Sequence, residues 1–346
     1  MMIDDDDFEP LPPRRPLFRR KRVLIPLALL VAILAIFLAL RTSDTDREAM
    51  IAKYSGPAGA FVAGPAGQRI HYRDQGKRSG PAIILLHGSN SSLHTWEPLV
   101  QRLGAIYRIV TLDLPGHGLT GGTPDKDYSA GGMAAAVDVV AAKLGLDHFI
   151  LGGNSMGGWV AWRYALAQPG RVDALLLLDA SGMPLREGEK APESNIGFRI
   201  LKYPFGRWLA TQITPRALVE QSLRGSVEKQ AVIDDATVDR YWELLRFPGN
   251  REATVLRARM DREPAMAARV GDIKAPTLIL FGDKDRLINP SAAQTFHERI
   301  AGSEVVLLKN IGHLPMDEDP DATAAAITDF LTRRLVVPSP TDPGTR

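Results

Sequence analysis

The chain of 346 residues has 45% hydrophobic and 24% charged residues, which is typical of a folded globular protein and excludes a largely disordered one. Its formal net charge of +2 at pH 7 carries little information about partners. The absence of cysteine excludes disulfides, thiolate metal sites and a cysteine nucleophile.

The N-terminal segment combines a basic cluster, between Arg14 and Arg22, with an uncharged apolar run at 23–40 that is close to the length needed to cross a bilayer core. A cleaved secretory signal and a buried globular helix are the alternatives, but no small-residue cleavage site follows the run. No basic stretch interleaved with aromatics follows either, so nucleic acid is not an expected partner. We therefore expect a cytoplasmic tail at 1–22 and a retained transmembrane helix at 23–40. Because cationic flanks stay in the cytoplasm, the rest of this single-pass protein is expected on the extracytoplasmic side.

A polar juxtamembrane linker is expected at 41–66, with a short helix within it, and beyond it short apolar segments alternate with helical ones. Continuous apolar strands that alternate with helices are typical of a mostly parallel sheet covered on both faces. The strands are predicted at 69–73, 82–86, 109–113, 148–152 and 174–179, and the helices at 133–144 and 159–167.

The alternation stops at 184–270, where helical stretches carry many arginines and scattered aromatics. Strands are predicted again at 277–281 and 304–308, followed by a helix at 321–335. The simplest organisation is one α/β core, at 67–183 and 271–335, interrupted by a helical cap at 184–270 and followed by a disordered tail at 336–346. Each aromatic of the cap is by itself typical of the cap's own core, and together they indicate an apolar wall over a site. These aromatics are Phe198, Tyr203, Phe205, Trp208, Tyr241, Trp242 and Phe247.

The run Gly153-Asn154-Ser155-Met156-Gly157-Gly158 lies between a predicted strand and a predicted helix. Gly153 and Gly157 leave room for a strained backbone at Ser155 and for close packing of the helix on the strand. This arrangement presents the serine hydroxyl instead of burying it. The motif in its strand–turn–helix setting therefore predicts a nucleophilic serine.

A serine nucleophile requires a base, and the base requires an orienting acid. Asp285 and His313 each follow one of the last two predicted strands. The carboxyl ends of parallel strands share one edge of a sheet, so both side chains can meet Ser155 there. We predict that His313 acts as general base and then general acid, with Asp285 holding its imidazole. Asp283 and Asp179 are competing candidates for the acid.

A pair of donors for a developing oxyanion is predicted beside the serine. The strand at 82–86 ends in the turn His87-Gly88-Ser89-Asn90, which brings the backbone N–H of Ser89 opposite that of Met156. Met156 begins the helix after the serine, and the helix N-terminus adds partial positive charge. Asn90 is a candidate side-chain donor, or a partner of local backbone groups.

Together these features resemble the α/β-hydrolase superfamily over about residues 67–335. The resemblance implies a triad of Ser155, Asp285 and His313 that acts through an acyl-enzyme, with no cofactor and no metal. The motifs that carry it are the His87-Gly88 turn, Asp113-Leu114-Pro115-Gly116-His117-Gly118, the Ser155 elbow, Asp285 and Gly312-His313.

Within the superfamily, Gly-Asn-Ser-Met-Gly-Gly and Asp285-Arg286 are similar to the meta-cleavage-product hydrolases, which break carbon–carbon bonds in dienoic acids. Two features depart from that pattern, because Ser89 opens a turn that is usually glycine-rich and Leu314 stands where those enzymes usually have tryptophan. Epoxide hydrolases and haloalkane dehalogenases require aspartate where this chain has Ser155. We therefore expect a serine hydrolase of carboxylic esters, acting on small to medium apolar substrates. Carbon–carbon bond hydrolysis is the alternative, and a non-catalytic hydrolase-fold binding module is a third possibility.

Overall fold

The computed structural model describes residues 17–190, 199–260 and 264–335, and divides the chain into two compact units, Met1–Thr42 and Ser43–Arg346. The predicted tail at 336–346 and most of the predicted tail at 1–22 lie outside the described residues. Phe198 of the predicted cap also lies outside them.

The described part of the first unit contains one helix, α1 (Leu17–Leu40), which begins before the predicted start at residue 23. Its side chains are described from Leu24 onward, and the large apolar ones exposed between Leu24 and Leu40 are 52–63% exposed. Within the described residues, no helix combines the length and the apolar character that a membrane crossing requires, so the transmembrane span predicted at 23–40 is not supported.

The second unit is built on an eight-stranded sheet. Its strands are β1 (Gly59–Ala63), β2 (Arg69–Gly76), β3 (Ala82–Leu86), β4 (Arg108–Leu112), β5 (Phe149–Asn154), β6 (Val172–Leu178), β7 (Thr277–Gly282) and β8 (Glu304–Leu308). The strand order is β1-β2-β4-β3-β5-β6-β7-β8. Only β2 pairs antiparallel with its neighbours β1 and β4, and the pairs from β4 to β8 are parallel. The predicted mostly parallel sheet of an α/β fold is therefore confirmed.

Helices cover both faces of this sheet, which explains the continuous apolar strands. The helix α2 (Arg47–Tyr54) precedes the sheet in the chain, and the flanking helices are α3 (Glu97–Leu103), α4 (Ala130–Leu144), α5 (Met156–Ala167), α10 (Ser291–Arg299), α11 (Pro315–Glu318) and α12 (Pro320–Arg334). Alternate residues of β3 enter two separate cores, with Ile84 and Leu86 in one and Ile83 and Leu85 in the other. The first core is shared with α4 and α5, and the second with α3 and α12.

The sheet begins earlier than predicted, inside the supposed linker at 41–66. β1 pairs with β2 along Gly59–Ala63, and α2 starts directly after Asp46, whose side chain accepts a hydrogen bond from the N–H of Ala49. β1 is a short edge strand of mostly small residues, and most of it is only half-buried. Such a strand lacks the apolar alternation that marks a strand in sequence, which is why the linker prediction extended over it.

Between β6 and β7 the described residues form helices and turns without a strand. The helices are α6 (Pro204–Gln212), α7 (Arg216–Ser226), α8 (Asp235–Leu245) and α9 (Asn250–Arg257), with 3₁₀ turns at Gln230–Val232 and Pro264–Asp272. The aromatics of this segment do not form one apolar wall, contrary to the prediction. Phe247 is fully buried, whereas Tyr203 and Phe205 are each 69% exposed and Trp208 is 50% exposed.

Candidate active site

Ser155 occupies a sharp turn between β5 and α5, as the motif predicts. Its backbone has φ of +54° and ψ of −115°, a conformation that costs a residue with a side chain about 1–3 kcal/mol. The turn is held by its own backbone, because the N–H of Ser155 donates to the carbonyl of Leu178 (3.1 Å) and its carbonyl accepts from the N–H of Trp159 (3.1 Å) and of Ser181 (3.0 Å). A Cβ atom at Gly157 would overlap the backbone of Leu86, so the close approach of α5 to β3 requires glycine there.

Asp285 and His313 are brought together at the edge of the sheet where β5 delivers Ser155. Nδ1 of His313 lies 2.7 Å from Oδ2 of Asp285, and the two side chains are 5% and 0% exposed. The other oxygen of Asp285 accepts from the N–H groups of Leu287 (2.7 Å) and Ile288 (3.0 Å). With Asp285 as the acceptor at Nδ1, the tautomer that follows carries its proton on Nδ1 and leaves Nε2 as an acceptor.

The backbone of His313 is tied to its surroundings. Its N–H donates to the carbonyl of Ser226 (2.8 Å), and its carbonyl accepts from the side-chain amide of Asn154 (3.0 Å), the residue before Ser155. Ser155 and His313 line the same cavity. The histidine is therefore positioned both by Asn154 at the end of β5 and by α7 of the cap.

The two competing acids occupy different environments. Asp283 accepts from the N–H of Asn310 (2.7 Å) and lies 3.5 Å from Nζ of Lys309. Asp179 is fully buried, and its Oδ1 accepts from the N–H of Gly282 (3.0 Å). Burial, followed by the nearby charge of Asp285, raises the pKa of Asp179 well above its usual range.

Asp179, Asp285 and His313 have ligand-type atoms within 4.8 Å of one another. Such a cluster has the donor types of a metal site, but Nδ1 of His313 and Oδ2 of Asp285 already share a hydrogen bond. A metal ion would have to replace the proton between them. The geometry matches an acid–histidine pair with a second buried carboxyl group beside it.

The predicted oxyanion turn lies against Ser155. Ser89 and Met156 line the cavity together with Ser155, and a Cβ atom at Gly88 would lie 3.3 Å from that of Ser155. His87 shapes this turn, because its Nδ1 lies 2.8 Å from the carbonyl of Gly88 and its Nε2 accepts from the N–H of Leu114 (3.1 Å). Burial lowers the pKa of His87, which agrees with a neutral ring.

Asn90 binds the cap rather than local backbone groups. Its Oδ1 accepts from the hydroxyl of Thr254 (2.8 Å) and from Arg257 (3.1 Å), both on α9. φ of Asn90 is +59°, a conformation that asparagine tolerates better than most residues. Its side chain therefore links the oxyanion turn to the cap.

A cavity of about 420 Å³ stands over these residues, within the usual size range of small-molecule sites. Its polar lining includes Ser155, His313 and, from the cap, Tyr241 and Arg251. Its apolar walls come from the cap and from the loops that follow β7 and β8, and include Leu201, Ile213, Leu218, Leu223, Val255 and Ile288. A second cavity of about 220 Å³ shares Ser89, Met156 and Ser181 with the first and is also lined by Lys202 and Arg257.

Several residues that hold the cap in place have no sequence motif. The hydroxyls of Tyr241 and Ser91 lie 2.9 Å apart and join α8 to the oxyanion turn. Asp44 accepts from Arg251 (2.6 Å), a nearly buried residue that lines the larger cavity. These partners are more than a hundred positions apart in the chain, so no local pattern relates them.

This chain is similar to known proteins that are named hydrolases or lipases. A family model described as the alpha/beta hydrolase family matches residues 83–326. The chain is 29% identical to the monoacylglycerol lipase ABHD6 of Bos taurus, over 72% of this chain and 75% of that protein. It is 27% identical to the 2-hydroxy-6-oxononadienedioate/2-hydroxy-6-oxononatrienedioate hydrolase of Klebsiella pneumoniae, over 77% of this chain and 91% of that protein. The solved structure of a membrane phospholipase A is 26% identical, with a TM-score of 0.64, and covers 90% of this chain and 98% of that one.

Proposed function

The chain belongs to the α/β-hydrolase family and is an enzyme of hydrolase type, and from this premise we propose that it is a serine hydrolase of carboxylic esters with apolar acyl groups. One observation carries the proposal. The Asp285–His313 pair is buried at a mostly apolar cavity. Ser155 lines the same cavity and lies on a turn with a strained backbone. In this proposal Ser155 is the nucleophile, His313 is the base and Asp285 is the orienting acid.

The reaction follows from these positions. Nε2 of His313 takes the proton of Ser155 Oγ as Oγ attacks the ester carbonyl, and Asp285 stabilises the imidazolium through Nδ1–H. The backbone N–H groups of Ser89 and Met156 donate to the developing oxyanion. His313 then gives its proton to the alcohol oxygen as the carbon–oxygen bond breaks. A water molecule, deprotonated by His313, finally hydrolyses the acyl-enzyme and restores Ser155.

The cavity supports an apolar acyl group, because aliphatic side chains form most of its wall. The smaller cavity beside the oxyanion turn, with Thr254 and Arg257 in its wall, offers a place for the alcohol part of the substrate. One similar protein is named a monoacylglycerol lipase and one similar structure is named a membrane phospholipase A. Both names favour acyl esters of lipids as substrates. We therefore propose lipid-type esters as the substrate class.

Hydrolysis of a carbon–carbon bond is the second candidate. It is favoured by the likeness to the Klebsiella hydrolase over 91% of that protein and by the motif around Ser155. Turnover of a dienoate and of an ester by one preparation separates the two candidates. A dienoate hydrolysed much faster than any ester would overturn the ester proposal.

The assignment of Ser155 is tested with a series of aryl esters of increasing acyl length. Ser155→Ala should lower kcat/KM by on the order of 10⁴-fold or more, because alanine lacks the Oγ that forms the acyl-enzyme. Ser79→Ala is the matched control, since Ser79 is an exposed loop residue outside both cavities. Activity retained by Ser155→Ala, or no labelling of the wild type by a fluorophosphonate, would refute the assignment.

We also propose that the enzyme is held in a membrane by its N-terminal segment, with its N-terminus in the cytoplasm and its catalytic unit outside. The support is the basic cluster before residue 23 and the exposed apolar side chains of α1. Leu30→Arg together with Ile33→Arg should release the protein from membranes in an alkaline extraction. A reporter fused after Leu335 should be active only on the extracytoplasmic side, and a reporter active in the cytoplasm would reverse the orientation.

A further inference from the structure

Three large aromatic side chains of the cap face solvent. Tyr203 and Phe205 are each 69% exposed and Trp208 is 50% exposed, and the rings of Phe205 and Trp208 lie 5.7 Å apart. We call Tyr203, Phe205 and Trp208 the aromatic patch. Isolated exposed apolar residues are common, but a cluster of adjacent large aromatics marks a surface that contacts another body.

The segment that carries the aromatic patch is basic. Residues 199–219 contain four basic residues and no acidic one. Arg216 is paired with acidic residues, and Arg207 donates to the carbonyls of Leu201 and Lys202. Arg199 and Lys202 are exposed beside the patch. Tryptophan and tyrosine flanked by cations are typical of the interface between a bilayer and water, where anionic lipids attract the cations.

The same segment lines the cavity from its other side. Leu201, Ala210 and Ile213 face the cavity over Ser155, while the aromatic patch faces solvent. An α-helix with its side chains is about 10–12 Å across, so the outer surface and the cavity are separated by roughly one helix. The segment with α6 therefore lies between the aromatic patch and the cavity.

We propose that the aromatic patch, with Arg199 and Lys202, docks the cap on an anionic lipid bilayer, from which an acyl ester enters the cavity past α6. The aromatic rings enter the interface and the two cations meet the lipid phosphates. This inference rests on the proposed ester hydrolysis for the identity of the substrate, whereas docking itself does not require catalysis.

Docking is measured at single positions, because the chain has no cysteine and any introduced cysteine is unique. Phe205→Cys and the control Leu307→Cys carry the same environment-sensitive fluorophore in the full chain, reconstituted with phosphatidylcholine vesicles with or without phosphatidylglycerol. Leu307 is 46% exposed on β8, outside the cap. We expect a blue shift, and quenching by nitroxide-labelled lipids, at position 205 and not at 307, and only when phosphatidylglycerol is present.

Equal emission at the two positions would overturn the proposal, as would the same blue shift in vesicles without phosphatidylglycerol. Energy transfer between labels at position 205 in the absence of vesicles would also overturn it, because the patch would then join two copies of the chain.

Activity provides a second readout. Phe205→Ser with Trp208→Ser should leave kcat/KM for a short water-soluble ester within about twofold, but lower hydrolysis of an acyl ester embedded in anionic vesicles by about tenfold or more, because these two aromatic side chains would no longer be buried in the interface. Equal hydrolysis of the embedded ester by both proteins would contradict docking. A wild type inactive on all esters would instead refute the ester proposal, while the fluorescence result would still decide docking.

Discussion

Replacing Asp179 with asparagine tests whether this buried carboxyl keeps a proton beside Asp285. Asp179 is fully buried, and its Oδ2 has no hydrogen-bond partner among the described residues. Burial, and then the charge of Asp285, raise the pKa of Asp179 well above its usual value of 3.8. Asparagine retains an oxygen acceptor for the N–H of Gly282 and tolerates the φ of +45° at this position.

The expected pH dependence of the free energy of unfolding follows from the one proton that Asp179 binds. The unfolded chain loses the proton of Asp179 near its usual pKa, whereas the folded chain keeps it to higher pH. Between these two pKa values the folded state binds one more proton than the unfolded state. The free energy of unfolding of the wild type therefore falls by about 1.4 kcal/mol for each pH unit of rise across this window. Asp179→Asn has no such proton, so its stability relative to the wild type should rise with that slope.

Urea unfolding of both proteins, followed by tryptophan fluorescence from about pH 4.5 upward, measures this difference. Asp283→Asn is the matched control, because Asp283 lies in the same loop as Asp285 but its side chain is 20% exposed. The control should show no rising difference above about pH 4.5. A difference between Asp179→Asn and the wild type that does not change with pH would refute the protonated state of Asp179.

Two further substitutions test the geometry of the site. Asp285→Asn should lower kcat by on the order of 10⁴-fold with a small change in KM, because the imidazole of His313 loses its tautomer and its counter-charge; steady-state kinetics on an aryl ester measure this, and near-normal kcat would assign the acid role to another residue. Gly157→Ala should destabilise the protein by about 1–3 kcal/mol or more, because the added Cβ meets the backbone of Leu86. Gly225→Ala, in α7 with no atom within 4 Å of the added Cβ, should stabilise it by about 0.5–1 kcal/mol, and equal melting temperatures for the two variants would contradict this reading of the elbow.

Much of the catalytic unit could be predicted because its signals are local. β3 and β5 are continuous apolar runs, and Ser155 follows β5 between glycines whose small size the close approach to β3 requires. Asp285 and His313 follow β7 and β8 within a few residues, so a parallel sheet brings them to one edge whatever the details of packing. The half-buried edge strand β1 lacks a clear apolar pattern, so the sequence predicted a linker in its place.

The sequence by itself determined the fold class, the elbow at Ser155 and the edge of the sheet at which the candidate groups collect, because strand burial and glycine spacing are encoded within short segments. Only the tertiary structure decided which carboxyl meets His313, since Asp179, Asp283 and Asp285 differ in their surroundings by a few ångströms of loop geometry. It also decided that Phe247 is buried while Tyr203, Phe205 and Trp208 face solvent. Contacts between residues far apart in the chain set burial, and burial in turn sets the charge of Asp179 and the exposure of the cap aromatics.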